Sequence, residues 1–361
     1  MPGPTVREVV EFTRIIRPHN QDSDLLQTQV SPDGTKAFIV TRRGEVHTDK
    51  NLFDILLLDV SAGRFAGNLD MPPRKLLTVQ ATKDHAYRPL SIHDARWVGD
   101  GHIVVLGRVH DATPQVYKLD VRTGALVQLT SESLTIVTFD VARDLRTIVY
   151  TALLPNPPMA PGARSVVVGN SSFWSVKFGQ HNTESQNRRY RYFVSDGLDG
   201  RPTRPLGDSF PESSNSAPSV SVSPDGRWAL VPRFEPDRQL EWAKQYPLVA
   251  ELTEQIGPSA SIDPLKYFSR PQAYVLRRLV AYRLSDAREQ AVVDAPDDAE
   301  SGLGQTRSDR LWQQGGRSVV ITGMHLPVRA GTDAVAARSS HIIEYWPDTG
   351  RWWTSRCLTD A

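Results

Sequence analysis

Short apolar runs, each bounded by polar turn residues, recur along the whole chain. Ala37-Phe38-Ile39-Val40, Phe53–Asp59, Ile103–Leu106, Tyr117–Asp120, Thr147–Tyr150, Tyr192–Asp196, Trp228–Val231, Tyr282–Leu284, Ser318–Thr322 and Glu344–Trp346 all fit this pattern. Runs of this length, rich in β-branched and aromatic residues, predict strands and not helices. The turns between them have a chemistry of their own. Ser-Pro-Asp-Gly occurs at Ser31–Gly34 and again at Ser223–Gly226, each time directly before a strand. Proline presets φ for a tight turn, and glycine takes the position with φ > 0. Val98–Gly101, Ala142–Leu145 and Gln313–Gly316 occupy the same place before three further strands.

A second signal lies downstream of each turn. A strand ends in Asp, a short turn follows, and another strand begins. Asp59 leads to Gly63, Asp120 to Gly124, Asp196 to Gly200, Asp286 to Ala287-Arg288, and Asp348 to Gly350. Together the two signals mark five units, near residues 31–80, 89–130, 134–207, 216–296 and 305–357. Each has roughly four strands, the blade unit of a β-propeller. The expected fold is therefore an all-β propeller over 25–361, preceded by a helical or extended lead-in over 1–24 that carries Val9, Val10, Phe12 and Ile15. Five units admit a five-bladed ring or part of a seven- or eight-bladed one.

Two stretches interrupt the pattern. Residues 155–187 are rich in Pro, Gly, Ser and Asn and read as a long loop. Residues 236–272 space Leu240, Trp242, Ala243, Tyr246, Val249 and Leu252 by about three or four, the period of one or two short helices. Pro247, Gly257, Pro258 and Pro264 break them. Long insertions in a compact fold are usually functional or disordered. Phe173 and Trp174 in the first insertion, and Trp242 and Tyr246 in the second, are the candidate contacts for a partner or peptide. The second insertion is expected to be removable without unfolding the sheets.

Composition narrows the function. A hydrophobic fraction of 39% and a charged fraction of 23% suit a globular domain. The net charge of +1 gives no field that would draw nucleic acid or an acidic membrane. One cysteine, Cys357, excludes an internal disulfide and a multi-cysteine zinc site. The first twenty residues carry Arg7, Glu8, Glu11, Arg14 and Arg17 with no apolar core, unlike a signal peptide, and no apolar run is long enough to span a membrane. Cytoplasm and periplasm both fit. No metal, cofactor or phosphate-loop motif is present. Asp84-His85 and His93-Asp94 set a histidine beside a carboxylate, an arrangement that in loops is usually solvated surface. His102, next to a turn glycine, is expected to bond to backbone.

The Ser-Pro-Asp-Gly turns, the Asp-to-Gly hairpins, the Phe53–Asp59 strand, and the stretches Pro72–Leu77 and Ala95–Val98 resemble the N-terminal propeller of prolyl oligopeptidase-like serine peptidases. That group includes dipeptidyl and acylaminoacyl peptidases. The turn is also similar to those of TolB-like propellers. The first resemblance implies a non-catalytic propeller that gates peptide access and docks an α/β-hydrolase domain carrying a Ser-Asp-His triad. The second implies a free-standing protein-interaction module. This sequence has no Gly-x-Ser-x-Gly nucleophile elbow. Gly169–Phe173 lacks the closing glycine, and Gly207–Phe210 lacks a strand-turn-helix context. No catalytic residue can be carried over.

Overall fold

The computed structural model describes residues 5–16, 29–60, 72–81, 91–109, 113–130, 133–155, 189–196, 203–211, 219–235, 238–247, 249–250, 277–297, 309–328 and 341–355. Among these there are five four-stranded sheets, each antiparallel and each taken in chain order. The chain is all-β, and its sheets are the blades of a β-propeller. Two compact units hold them, residues 1–137 and 138–361.

The first unit contains sheet 1, made of β1 (Arg14–Ile16), β2 (Lys36–Glu45), β3 (Lys50–Asp59) and β4 (Arg74–Ala81). It also contains sheet 2, made of β5 (Ile92–Val98), β6 (His102–Gly107), β7 (Gln115–Asp120) and β8 (Leu126–Gln128). Alternate residues of the central strands face one another across a shared core that includes Phe38, Val40, Phe53, Ile55, Ile103 and Val105. This is what period-two patterning produces when one face of each sheet is buried. The opening turn folds as its chemistry requires. Gly34 has φ +71 and donates its N–H to the Ser31 carbonyl at 2.8 Å. The Asp33 carboxylate accepts from the Ser31 hydroxyl and the Thr35 N–H, and the Asp33 N–H donates to Asp100 in the turn of sheet 2 at 2.9 Å.

One element departs from the expected lead-in. A helix α1 (Val6–Glu11), closed by a Thr5–Glu8 capping box, is followed by β1, which pairs with Val40–Arg42 of β2. Further along the same edge of β2, Val30 bridges to Ala37. One edge of β2 is therefore shared by two pieces of chain. Residues 14–16 belong to the first sheet, because β3 covers only one edge of β2 and the other edge would lack a partner at Val40–Arg42.

The second unit is built from sheets 3, 4 and 5, the first strand of sheet 3 starting just before it. Sheet 3 comprises β9 (Thr135–Val141), β10 (Thr147–Leu153), β11 (Arg189–Asp196) and β12 (Arg204–Pro211). Sheet 4 comprises β13 (Ser221–Val222), β14 (Trp228–Phe234), β15 (Arg277–Arg283) and β16 (Arg288–Ala291). Sheet 5 comprises β17 (Arg310–Trp312), β18 (Val319–Met324), β19 (His341–Trp346) and β20 (Arg351–Ser355). Successive turns stack. The Arg143 N–H donates to the Pro224 carbonyl at 3.2 Å, and Gly316 lies against the Asp225 carboxylate. Leu145 and Ala287 stand where other turns have glycine and still take φ +61 and +58.

Candidate functional site

The second insertion is held by its aromatic residues. Helix α2 (Gln239–Ala243) brings Trp242 to 0% exposure, and the following turn brings Tyr246 to 1%. Both pack with Leu230, Leu279, Ala281, Ile321 and Ile343 in the core between sheets 4 and 5. Arg238 covers the Trp242 ring at 5.0 Å, and the Tyr246 hydroxyl donates to the Leu326 carbonyl at 2.9 Å. Burial pushes the Tyr246 phenol up to about 12. The Trp242 and Tyr246 rings, expected to meet a partner, thus face the core, and among the described side chains of the segment Glu241 and Lys244 are exposed. An ion-pair network ties the segment to sheet 4. Arg238 binds Asp294, while Arg278 reaches Glu235 at 2.8 Å and Asp294 at 3.4 Å. Phe173 and Trp174 lie outside the described residues.

The histidines are dispersed. The His93 Nε2 lies 3.0 Å from the Val137 carbonyl. His102 sits 4.0 Å from the Asp120 carboxylate, where a backbone partner was expected. His85 lies outside the described residues.

A cavity of the second unit lies at the turn ends of sheets 3, 4 and 5. It has a volume of about 700 Å³, and its walls include Thr147, Arg204, Arg227, Trp228, Arg283 and Asp348. These side chains come from strand starts and strand ends, which the meanders bring to one end of the sheets. Arg227 follows the second Ser-Pro-Asp-Gly turn. Its Nε donates to Asp225 at 2.6 Å, and its Nη2 to Asp348 at 3.2 Å. Asp348 also accepts from the Trp228 indole N–H at 3.2 Å. Arg283 is held by Asp286, and Arg204 by the Leu284 carbonyl.

The electrostatics follow from these contacts. Asp225 is partly desolvated, which opposes ionisation. The Ser223 hydroxyl and Arg227 outweigh that and hold its carboxyl below the usual range. Asp286 is held down to about 2, chiefly by Arg283. The cavity therefore presents fixed guanidinium donors and carboxylate acceptors in nearly balanced number. No histidine is among the described residues lining it. Such a wall can hydrogen-bond a peptide backbone or another polar neutral group. Sequence patterning marked Asp348 only as a turn residue and gave Arg227 no role. That they meet depends on how sheet 4 stacks on sheet 5.

No protein-family model matches the sequence, and no curated protein matches it. Several solved structures are similar to it in fold. Acylaminoacyl peptidase of Pyrococcus horikoshii is 10% identical with a TM-score of 0.47, over 96% of this chain and 40% of that one. The β-propeller domain of the Trilobed protease from Pyrococcus furiosus is 10% identical with a TM-score of 0.39, over 91% of this chain and 67% of that one. Oligogalacturonate lyase from Vibrio parahaemolyticus is 11% identical with a TM-score of 0.43, over 91% of this chain and 63% of that one. The chain spans about two fifths of the length of the acylaminoacyl peptidase it matches. Among the described residues, no helix is long and apolar enough to cross a membrane.

Proposed function

We propose that this chain is a non-catalytic propeller module that gates peptide access to an α/β-hydrolase domain of the prolyl oligopeptidase type and docks that domain. The observation that carries the reading is the five-fold recurrence of one meander, opened in sheets 1 and 4 by the Ser-Pro-Asp-Gly turn of that peptidase group. The balanced donors and acceptors of the cavity agree with transient contact to a peptide backbone. The sequence itself has no nucleophile elbow, so the chemistry belongs to a partner domain.

Two measurements test this. A fluorophosphonate probe is expected to leave the pure chain unlabelled, and stoichiometric labelling would overturn the non-catalytic assignment. The product of the native gene is then sized by immunoblot. A product well above 40.2 kDa that the probe labels supports a hydrolase domain in cis. A 40.2 kDa product that forms no complex with a fluorophosphonate-reactive protein refutes the docking role and leaves a free-standing TolB-like interaction module.

A further inference from the structure

Three guanidinium groups line the cavity of the second unit, and two of them are matched by carboxylates. Arg227 is shared between Asp225 at 2.6 Å and Asp348 at 3.2 Å, and Arg283 is held by Asp286. Arg204 is different. It reaches from the start of β12 to the Leu284 carbonyl just past β15, and so crosses from sheet 3 to sheet 4. Among the described residues it is bonded to no carboxylate. The two aspartates of the same wall are engaged elsewhere. Asp348 accepts from Arg227 and from the Trp228 indole N–H, and Asp196 has a contact of its own that does not involve Arg204.

A guanidinium carries several N–H donors in one planar fork, and a single carbonyl engages few of them. Arg204 is also exposed, so the remaining donors are within reach of a solute. Its bond to the Leu284 carbonyl restrains the side chain, which lowers the entropy cost of engaging a ligand. Neutral donors stand in the same wall. Thr147 and Ser285 both contribute to it. A Cβ at residue 226 would sit 2.8 Å from the Thr147 hydroxyl oxygen, so glycine there leaves that hydroxyl uncovered.

From this arrangement we infer that the cavity takes the terminal carboxylate of a short, unblocked peptide, with Arg204 as the receiving group. A carboxylate matches the guanidinium fork through two parallel N–H···O bonds. The other lining groups suit the rest of such a ligand. Asp348 can accept from peptide N–H groups, and the Thr147 and Ser285 hydroxyls can donate to peptide carbonyls. A ligand that is neutral overall fits a wall of mixed sign, because a net anion would meet Asp196 and Asp348 and a net cation would meet the arginines. The volume of about 700 Å³ lies within the usual span of small-ligand sites. The choice of a peptide as carrier of the carboxylate rests on the gating role proposed above.

The test titrates the full chain at low salt with three peptides and reads binding by saturation-transfer NMR. They are tri-alanine, tri-alanine amide, and N-acetyl-Ala-Glu-Ala amide, whose only carboxylate is on a side chain. Tri-alanine is expected to saturate the chain and to bind about fivefold more tightly than either amide, the upper size of one exposed ion pair. Arg204→Gln should weaken tri-alanine by that factor and leave tri-alanine amide unchanged. An unchanged amide also shows that the variant is folded. Absence of saturable tri-alanine binding, equal affinity for its amide, or a preference that survives Arg204→Gln overturns the inference. So does equal weakening of both peptides by Arg204→Gln, since the carboxylate would then not be what Arg204 reads. Binding of the side-chain carboxylate as tightly as tri-alanine overturns the assignment to a peptide terminus. Each of these failures leaves the gating role standing, because fluorophosphonate labelling and product size test that role separately.

Discussion

Replacing Trp242 with alanine gives a sharp test of the role of the second insertion. The indole is fully buried and touches the core formed by sheets 4 and 5. Truncating a buried tryptophan costs about 3–5 kcal/mol through lost transfer energy and a residual cavity. Loss of the Arg238 contact at 5.0 Å adds about 0.5–1 kcal/mol. For a unit of this size each kcal/mol lowers Tm by about 2–4 °C, so the expected drop is about 7–24 °C. Thermal unfolding followed by near-ultraviolet circular dichroism reads it. Trp242→Phe separates packing from hydrogen bonding. The indole N–H is buried with no hydrogen-bond partner among the described residues, so removing it sheds a desolvated donor. That variant should cost less than about 1.5 kcal/mol. If Trp242→Ala shifts Tm by less than about 2 °C, the ring is not an anchor, and the size argument fails with it. Deletion of 236–272 removes Trp242, Tyr246 and Val249 together. It is expected to unfold the second unit, whereas the sequence pattern led to the expectation that the insertion is removable.

Other outcomes follow from the turns. Gly226 and Gly350 have φ +69 and +66, so alanine at either costs about 1–2 kcal/mol from the left-handed backbone alone. A Cβ at Gly226 would also lie 2.8 Å from Thr147 Oγ1, whereas one at Gly350 meets nothing within 4 Å. Gly226→Ala should therefore be the more damaging by at least about 1 kcal/mol in urea unfolding. In acid, the Ser31 hydroxyl, then the Thr35 N–H and hydroxyl, hold Asp33 at about 2. Because the folded value lies below the unfolded one of about 3.9, its contribution is complete above that pH and fades as the pH falls toward 2. Asp33→Asn should flatten the slope of Tm against pH in that window, and an unchanged slope would refute the assignment. In the cavity, Asp348→Ala should release the Trp228 indole and leave Arg227 on Asp225 alone, the first visible as a red shift and stronger quenching of tryptophan fluorescence by iodide. An unaltered spectrum would mean that Asp348 does not hold the indole.

The local chemistry of this chain was legible from its residues. The apolar run of His102–Gly107 is buried from Ile103 onward, Phe38 and Val40 of Lys36–Glu45 are buried on either side of a half-buried Ile39, and Gly34, Gly226 and Gly316 take the φ > 0 their turns demand. These are properties of a few neighbouring residues, so five meanders could be counted without coordinates. Leu145 and Ala287 show the limit of that reading, since their turns take a left-handed backbone without glycine.

What only the tertiary structure decided depends on partners distant in sequence. Residues 14–16 look like part of a lead-in until β2 offers them an unpaired edge. Trp242 and Tyr246 have helical spacing and aromatic character, which suit a contact surface and a core equally. The space between sheets 4 and 5 takes them inward, because burying their area outweighs exposing it. Thr147, Arg204, Arg227, Arg283 and Asp348 share a cavity although up to two hundred residues separate them. Turn chemistry and alternation act within a strand and its neighbour. Which sheet faces meet, and which residues line the space between them, is set by packing across the whole unit.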